Sequence, residues 1–230
     1  MRNSGFTIKI VMCGDPNVGK ESIHRRYVGK GSHSTFLMAL GAGFATKHVT
    51  INYKDSTCPI KFHIWYISGH PRFDFIRGSY YAGALAAIFV FDVTNRKSFE
   101  NIPHWINQYF RYNGNGVRPF VLLGNKSDLR NHALNCVSFE EGRALAASLS
   151  RETAVLGFSV AYFETSVLTG LNISEAFEFI GKSFLSFIEV QKKKENNQLI
   201  SKKIYCPFCG AFQIVTGMIF ICLKCKNTLW

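Results

Sequence analysis

The chain has 230 residues, 47% of them hydrophobic, and carries 27 Lys and Arg against 15 Asp and Glu, a formal net charge of +12. The apolar content suffices for a packed core, but no uncharged run approaches the ~20 residues of a membrane span, and the opening MRNSGFTIKI lacks the long apolar stretch of a secretory signal. A cytoplasmic protein in a reducing compartment is expected, where its seven cysteines read as metal ligands or buried thiols rather than disulfides.

In chain order, Phe6–Met12 reads as a strand and Gly19 to about Gly29 as a helix. Between them lies Gly14-Asp15-Pro16-Asn17-Val18-Gly19-Lys20-Glu21-Ser22. It matches the phosphate-binding pattern G-x-x-x-x-G-K-[ST] at all but the last position. The glycines let the backbone curl around phosphate oxygens, Lys20 supplies charge to the outer phosphates, and the helix N-terminus offers free N–H groups. The hydroxyl that holds magnesium in that pattern is replaced by Glu21, and Ser22 stands ~100° further round the helix.

Phe44–Lys54 and Cys58–Tyr66 read as a hairpin turning at Lys54-Asp55-Ser56-Thr57. Ala86–Val93 and Pro119–Gly124 are nearly all apolar, as central strands covered on both faces are, and Ala161–Thr165 is a further short strand. Helical patterns fill Ser98–Tyr112 and Ser138–Ser150. In the last helix Ile173, Ala176, Phe177, Ile180, Phe184 and Phe187 recur at three- and four-residue spacing. This alternation predicts an α/β fold: a mostly parallel open sheet with helices on both faces and a ligand beyond the carboxyl ends of the strands.

Those ends carry Asn125-Lys126-Ser127-Asp128 and Glu164-Thr165-Ser166. Together with the phosphate loop, and with Trp65–His70, Tyr80-Tyr81 and Phe91–Thr94 in the same order, they make the chain resemble the small GTPases, especially the Rab-like branch, from about Phe6 to Ser186. The resemblance implies a P-loop small GTPase fold and a GTP/GDP ligand. Asp128 would accept two N–H bonds from the guanine edge, a geometry adenine cannot satisfy. Asn125 would tie the base edge to the phosphate loop, and the stem of Lys126 would cover one ring face. Ser166 and the backbone N–H of Val167 would complete the base pocket. The aromatic of the second ring face falls on Ser32, with His33 and Phe36 close by. The N–H of Gly69 would sense a third phosphate.

The family's magnesium and water-handling residues are largely replaced. The switch I Thr falls on Ala39, the switch II Asp on Tyr66, its Ala on Ser68 and its Gln on His70, which leaves His70 as the candidate for orienting water. With Glu21 in place, none of the three standard magnesium supports is intact. A carboxylate ~5 Å from a phosphate repels it by roughly 3 kcal/mol at an effective dielectric near ~20, yet bridged by a cation it is a good hard-oxygen ligand. Glu21 therefore either weakens nucleotide binding or holds a divalent ion directly, and magnesium is otherwise poorly supported. Three functions stay open: a guanine-nucleotide binder with weak or absent hydrolysis, acting as a signalling or trafficking scaffold; an active switch with metal handled through Glu21; and a nucleotide-free interaction module.

At the C-terminus, Cys206-Pro207-Phe208-Cys209 and Cys222-Leu223-Lys224-Cys225 form two C-x-x-C knuckles. Four thiolates at that spacing suit one tetrahedral zinc, with iron using the same ligand set. The apolar Phe212–Ile221 between them predicts a hairpin. The expected organisation is a GTPase-like domain over 1–190, a charged linker or helix extension over 191–203, and a zinc ribbon over 204–230. From Lys182 onward eight lysines face Glu189 and Glu195, half of the net charge, which gives a weak, salt-sensitive attraction for anionic membrane or nucleic acid. Cys225 is not set in a prenylation motif, and a protein partner is expected through the switch regions or the ribbon.

Overall fold

The computed structural model describes residues 5–29, 34–37, 41–114, 117–198, 202–205, 212–215, 220–221 and 228–229. The chain divides into two compact units, Met1–Phe187 and Ile188–Trp230.

The first unit begins with β1 (Phe6–Cys13) and α1 (Lys20–Val28), followed by β2 (Ser34–Leu37), β3 (Ala42–Tyr53) and β4 (Ser56–Ile67). Then come α2 (Asp74–Tyr81), β5 (Ala86–Asp92), α3 (Arg96–Glu100), α4 (Ile102–Asn113) and β6 (Phe120–Asn125). It closes with α5 (Phe139–Thr153), β7 (Tyr162–Glu164) and α6 (Ile173–Gln198), the last running on into the second unit. The seven strands form one sheet in the order β2-β3-β4-β1-β5-β6-β7. From β4 through β7 the neighbours are parallel, and β2-β3-β4 are antiparallel. The parallel strands therefore deliver their carboxyl ends to one edge.

Side chains along a strand alternate between faces. Every residue of β5 and β6 is buried, so both faces of the central sheet are covered. Tyr27 of α1 stacks on Phe177 of α6 at 3.7 Å, and Tyr109 of α4 meets Phe89 of β5 edge-on at 5.9 Å. Such ring pairs join helices to sheet through contacts that the apolar spacing alone does not specify.

Several elements differ from expectation. β2 and α2 carry no clear periodic signal in the sequence; α2 is eight residues long and contains Gly78. The helix expected over Ser98–Tyr112 breaks at Asn101, because Pro103 occupies the first turn of a new helix, α4, where its missing N–H costs nothing. α6 continues through the lysine run, where Lys193 pairs with Glu189 one turn earlier at 3.2 Å.

The second unit also holds β8 (Lys202–Tyr205), β9 (Phe212–Val215), β10 (Phe220–Ile221) and β11 (Thr228–Leu229). β8 pairs antiparallel with β9, and β10 with β11. The hairpin expected within Phe212–Ile221 is thus replaced: β9 and β10 belong to different ladders, each closing across one C-x-x-C segment. Cys206, Cys209, Cys222 and Cys225 themselves lie outside the described residues. Among the described residues no three metal-ligating side chains gather, and no helix is long and apolar enough to cross a membrane.

Candidate functional site

β1 ends in the phosphate loop. Gly14 and Gly19 have φ of 145° and 96°. A Cβ on the first would run into the Val90 carbonyl oxygen and one on the second into the Asn125 amide, so both positions require glycine. Lys20 lies beneath the loop, 6% exposed, and its Nζ donates to the carbonyls of Gly14 at 2.7 Å and Asp15 at 2.6 Å. Burial pulls its pKa down to about 8, against smaller upward pulls from Cys13 and Asp15 and a further downward one from Arg77. Asp15 accepts from Asn101 Nδ2 at 2.7 Å and Trp105 Nε1 at 2.6 Å, which fixes the loop's second residue to the start of α4. Above the loop is a cavity of about 530 Å³. Asn17, Gly19, Lys20, Glu21 and Ser22 line one side of it, Tyr66, Gly69 and His70 another, and Lys126 a third. Asn17 reaches its place through a left-handed backbone, φ 63°.

The residues that the resemblance assigns to the base converge from two loops. Asn125, at the end of β6, donates its amide to the Val18 carbonyl at 2.9 Å and accepts from Thr165 Oγ1 at 3.1 Å. One buried side chain so bridges the phosphate loop and the segment after β7. Lys126 takes a left-handed backbone, φ 65°, and its Nζ pairs with Asp92 at 2.6 Å. Asp128 accepts a hydrogen bond from Ser166 Oγ at 2.5 Å, and the Thr169 N–H donates to that same hydroxyl oxygen at 3.2 Å. Val167 is half-buried beside them and Leu168 exposed. Ser32 and His33 lie outside the described residues, while Phe36 sits on β2.

Where the family's metal supports are expected, the chemistry is different. Glu21, in the first turn of α1, pairs with Arg25 one turn later at 2.7 Å. Tyr66 is 6% exposed, aligned on β4 with Met12 of β1 and Gly43 of β3. Its ring covers Gly43, where a Cβ would collide with it, and lies 4.9 Å from the His24 ring. Burial, with help from the Glu21 charge, pushes the Tyr66 phenol up to about 12, so it stays protonated at neutral pH. Ala39 lies outside the described residues. A neutral phenol and a carboxylate already paired with a guanidinium are a poor set for magnesium, which demands near-octahedral hard oxygens. The described residues at these positions do not fit that ion.

On the switch II side, the Gly69 backbone is pressed against Gly14–Pro16, leaving no room for a side chain. His70 caps the short turn Pro71–Phe73, its Nδ1 accepting from the Arg72 N–H at 3.3 Å. That use turns the ring of the candidate water-orienting residue toward its own backbone. Arg77, 2% exposed, donates to the carbonyls of Ser68 at 3.0 Å and His70 at 2.8 Å, and pairs with Asp74. Its guanidinium lies 4.7 Å from the centroid of Trp105, the ring that also holds Asp15. Phosphate loop and switch segment are thereby linked through one indole. His24, Arg25, Arg77 and Trp105 escaped the sequence reading. Of these only the Glu21–Arg25 spacing carried a signal, since residues four apart face each other on a helix.

A model of the Ras family matches residues 9–186. The Ras-related protein RABA5a of Arabidopsis thaliana is 31% identical over 224 residues, 94% of each chain. The Ras-related protein Rab7 of Pisum sativum is 33% identical over 181 residues, 77% of this chain and 82% of its own. The Ypt/Rab-type GTPase YPT7 of Saccharomyces cerevisiae is 34% identical over 181 residues, 77% of this chain and 81% of its own. With the phosphate loop, the Asn125–Asp128 segment and the sheet order all of one kind, the chain belongs to the Ras family, among the Rab-like small GTPases.

Proposed function

We propose that this protein binds GDP and GTP, hydrolyses GTP weakly or not at all, and serves as a signalling or trafficking scaffold. The observation that carries the reading is a division within one site. What supports it on the base side is the hydrogen bonding of Asn125 to the phosphate loop and of Ser166 to Asp128, and on the metal side the presence of Tyr66 and the Glu21–Arg25 pair where metal supports are expected. Phosphoryl transfer depends on positioning and on neutralising charge. A site that binds the base and the inner phosphates but lacks metal supports retains recognition and loses turnover.

A partner surface is supported by the aromatic row Phe44–Trp65–Tyr80, which crosses from β3 over β4 to α2 with centroid spacings of 4.7 and 5.7 Å. Phe75 on the same helix is 86% exposed. The ribbon is read as a zinc site on two similar hairpins. The paired Tyr205 and Phe212 are joined by six residues with Cys206 first and Cys209 fourth. The paired Ile221 and Thr228 are joined by six with Cys222 first and Cys225 fourth. Zinc would supply a tetrahedral thiolate centre there and stabilise the hairpins.

The test is single-turnover phosphate release from GTP-loaded protein with Mg²⁺ at 25 °C. The expected rate is ~10⁻⁴ s⁻¹ or slower, that of an unassisted site. Release clearly faster than this would make the protein a working hydrolytic switch.

A further inference from the structure

An isolated carboxylate at the start of α1 sets two opposing demands. It repels phosphate, and it attracts a hard cation. Glu21 is such a carboxylate and lines the phosphate cavity, yet it is not isolated: Arg25 Nη2 lies 2.7 Å from its Oε1. Both charges are felt at the far wall of the cavity, where Glu21 pushes the Tyr66 phenol up and Arg25 pulls it down. Glu21 faces the cavity at 47% side-chain exposure while Arg25, 78% exposed, holds it from the helix surface, so the pair stands at the pocket's solvent rim.

Among the described residues, Glu21 is the only carboxylate lining the cavity. Tyr66 fills the space over Gly43 and packs against His24, itself 1% exposed, while its other side borders the cavity. Its ring stands where the resemblance expects a carboxylate. For the phosphates the cavity offers the Lys20 ammonium and the N–H groups at the start of α1.

We propose that Arg25 masks Glu21, so that the pocket holds guanine nucleotide independently of divalent cations, and that removing the guanidinium uncovers a latent metal site. The pair has no net charge, so it neither expels the phosphates nor recruits magnesium. Without Arg25 the bare carboxylate does both, and a cation bridging it to the phosphates becomes the only way to recover binding. The proposal rests on the nucleotide-binding reading above and deepens it.

The experiment is titration of fluorescent GDP in EDTA and in Mg²⁺ for the wild type, Arg25→Gln and the double variant Glu21→Ser/Arg25→Gln. The wild type should bind equally within about twofold in both buffers, as no metal takes part. Arg25→Gln should lose roughly threefold in EDTA, the scale a solvent-screened pair allows, and recover most of it in Mg²⁺. The double variant should return to near wild-type affinity in EDTA, which separates the unmasked carboxylate from a folding defect. A wild type that loses more than about tenfold in EDTA overturns the proposal. So does an Arg25→Gln that matches the wild type in both buffers, or a double variant as weak in EDTA as the single one. A wild type that binds GDP in neither buffer overturns the nucleotide-binding reading itself, and the masking proposal with it.

Discussion

Lys20 concentrates the charge of the phosphate cradle in a single buried ammonium, and burial leaves it titrating near neutrality. A bound phosphate favours the charged form, so the pKa of Lys20 rises when nucleotide binds. Below about pH 7 the ammonium is charged before and after binding, and affinity does not change with pH. As pH climbs through 8, binding must take up a proton, and the affinity for GDP falls, approaching tenfold per pH unit. Cys13 and Tyr66, both pushed up to about 12, stay protonated throughout this range. Dissociation constants for GDP measured from about pH 7 to about pH 9 should therefore rise by roughly tenfold overall; a flat profile would mean that Lys20 is not the phosphate's partner. Single residues were legible in the sequence where a motif fixes the backbone: Gly14 and Gly19 take the positive φ a tight loop needs, and Asn125 ties that loop to the segment after β7. What Tyr66 and Glu21 do was not legible. The first depends on the register that sets Tyr66 beside Gly43, and the second on a side-chain pairing that competes with metal.

Elements were readable in proportion to how much of their surface is buried. β5 and β6, wholly buried, announce themselves as apolar runs, and the β3–β4 hairpin by its turn at Lys54-Asp55. α2 is short and follows directly on the cavity-lining Arg72 and Phe73, and its sequence serves contacts such as Arg77 on Ser68 and Trp105 more than periodicity, while β2 with four residues is too short to show a period. The C-terminal hairpins show the same limit. The apolar segment Phe212–Ile221 reads as self-pairing, but its two ends pair outward across the knuckles. Ladders of two and four residues cannot hold themselves together in water, and on the proposed reading a zinc ion would supply most of their folding free energy. Protein purified without added metal should contain one zinc per chain. Cys206→Ser or Cys225→Ser should abolish amide-exchange protection in β8–β11 while leaving residues 5–187 as protected as before. Absence of metal, or protection that survives these substitutions, would show that the knuckles are not a metal site.

For the molecule as a whole, a Ras-family unit is joined through one long helix to a basic, cysteine-bearing unit. The Ras-family membership of the first unit was legible because its motifs are dense and in order. The sequence conveyed much less of how the phosphate loop, switch segment and α4 are bound together, since Asp15, Arg77 and Trp105 are far apart in the chain and meet only after folding. At this scale the proposed reading is a nucleotide pocket specific for its base. Parallel titration of labelled GDP and labelled ADP against the full chain tests this most directly. GDP should bind more than roughly hundredfold tighter than ADP, because a pocket built to hydrogen-bond the guanine edge leaves buried polar groups unpaired with any other base, and Asp128→Ala should erase the difference. Comparable affinities for the two nucleotides, or a preference that survives Asp128→Ala, would contradict it.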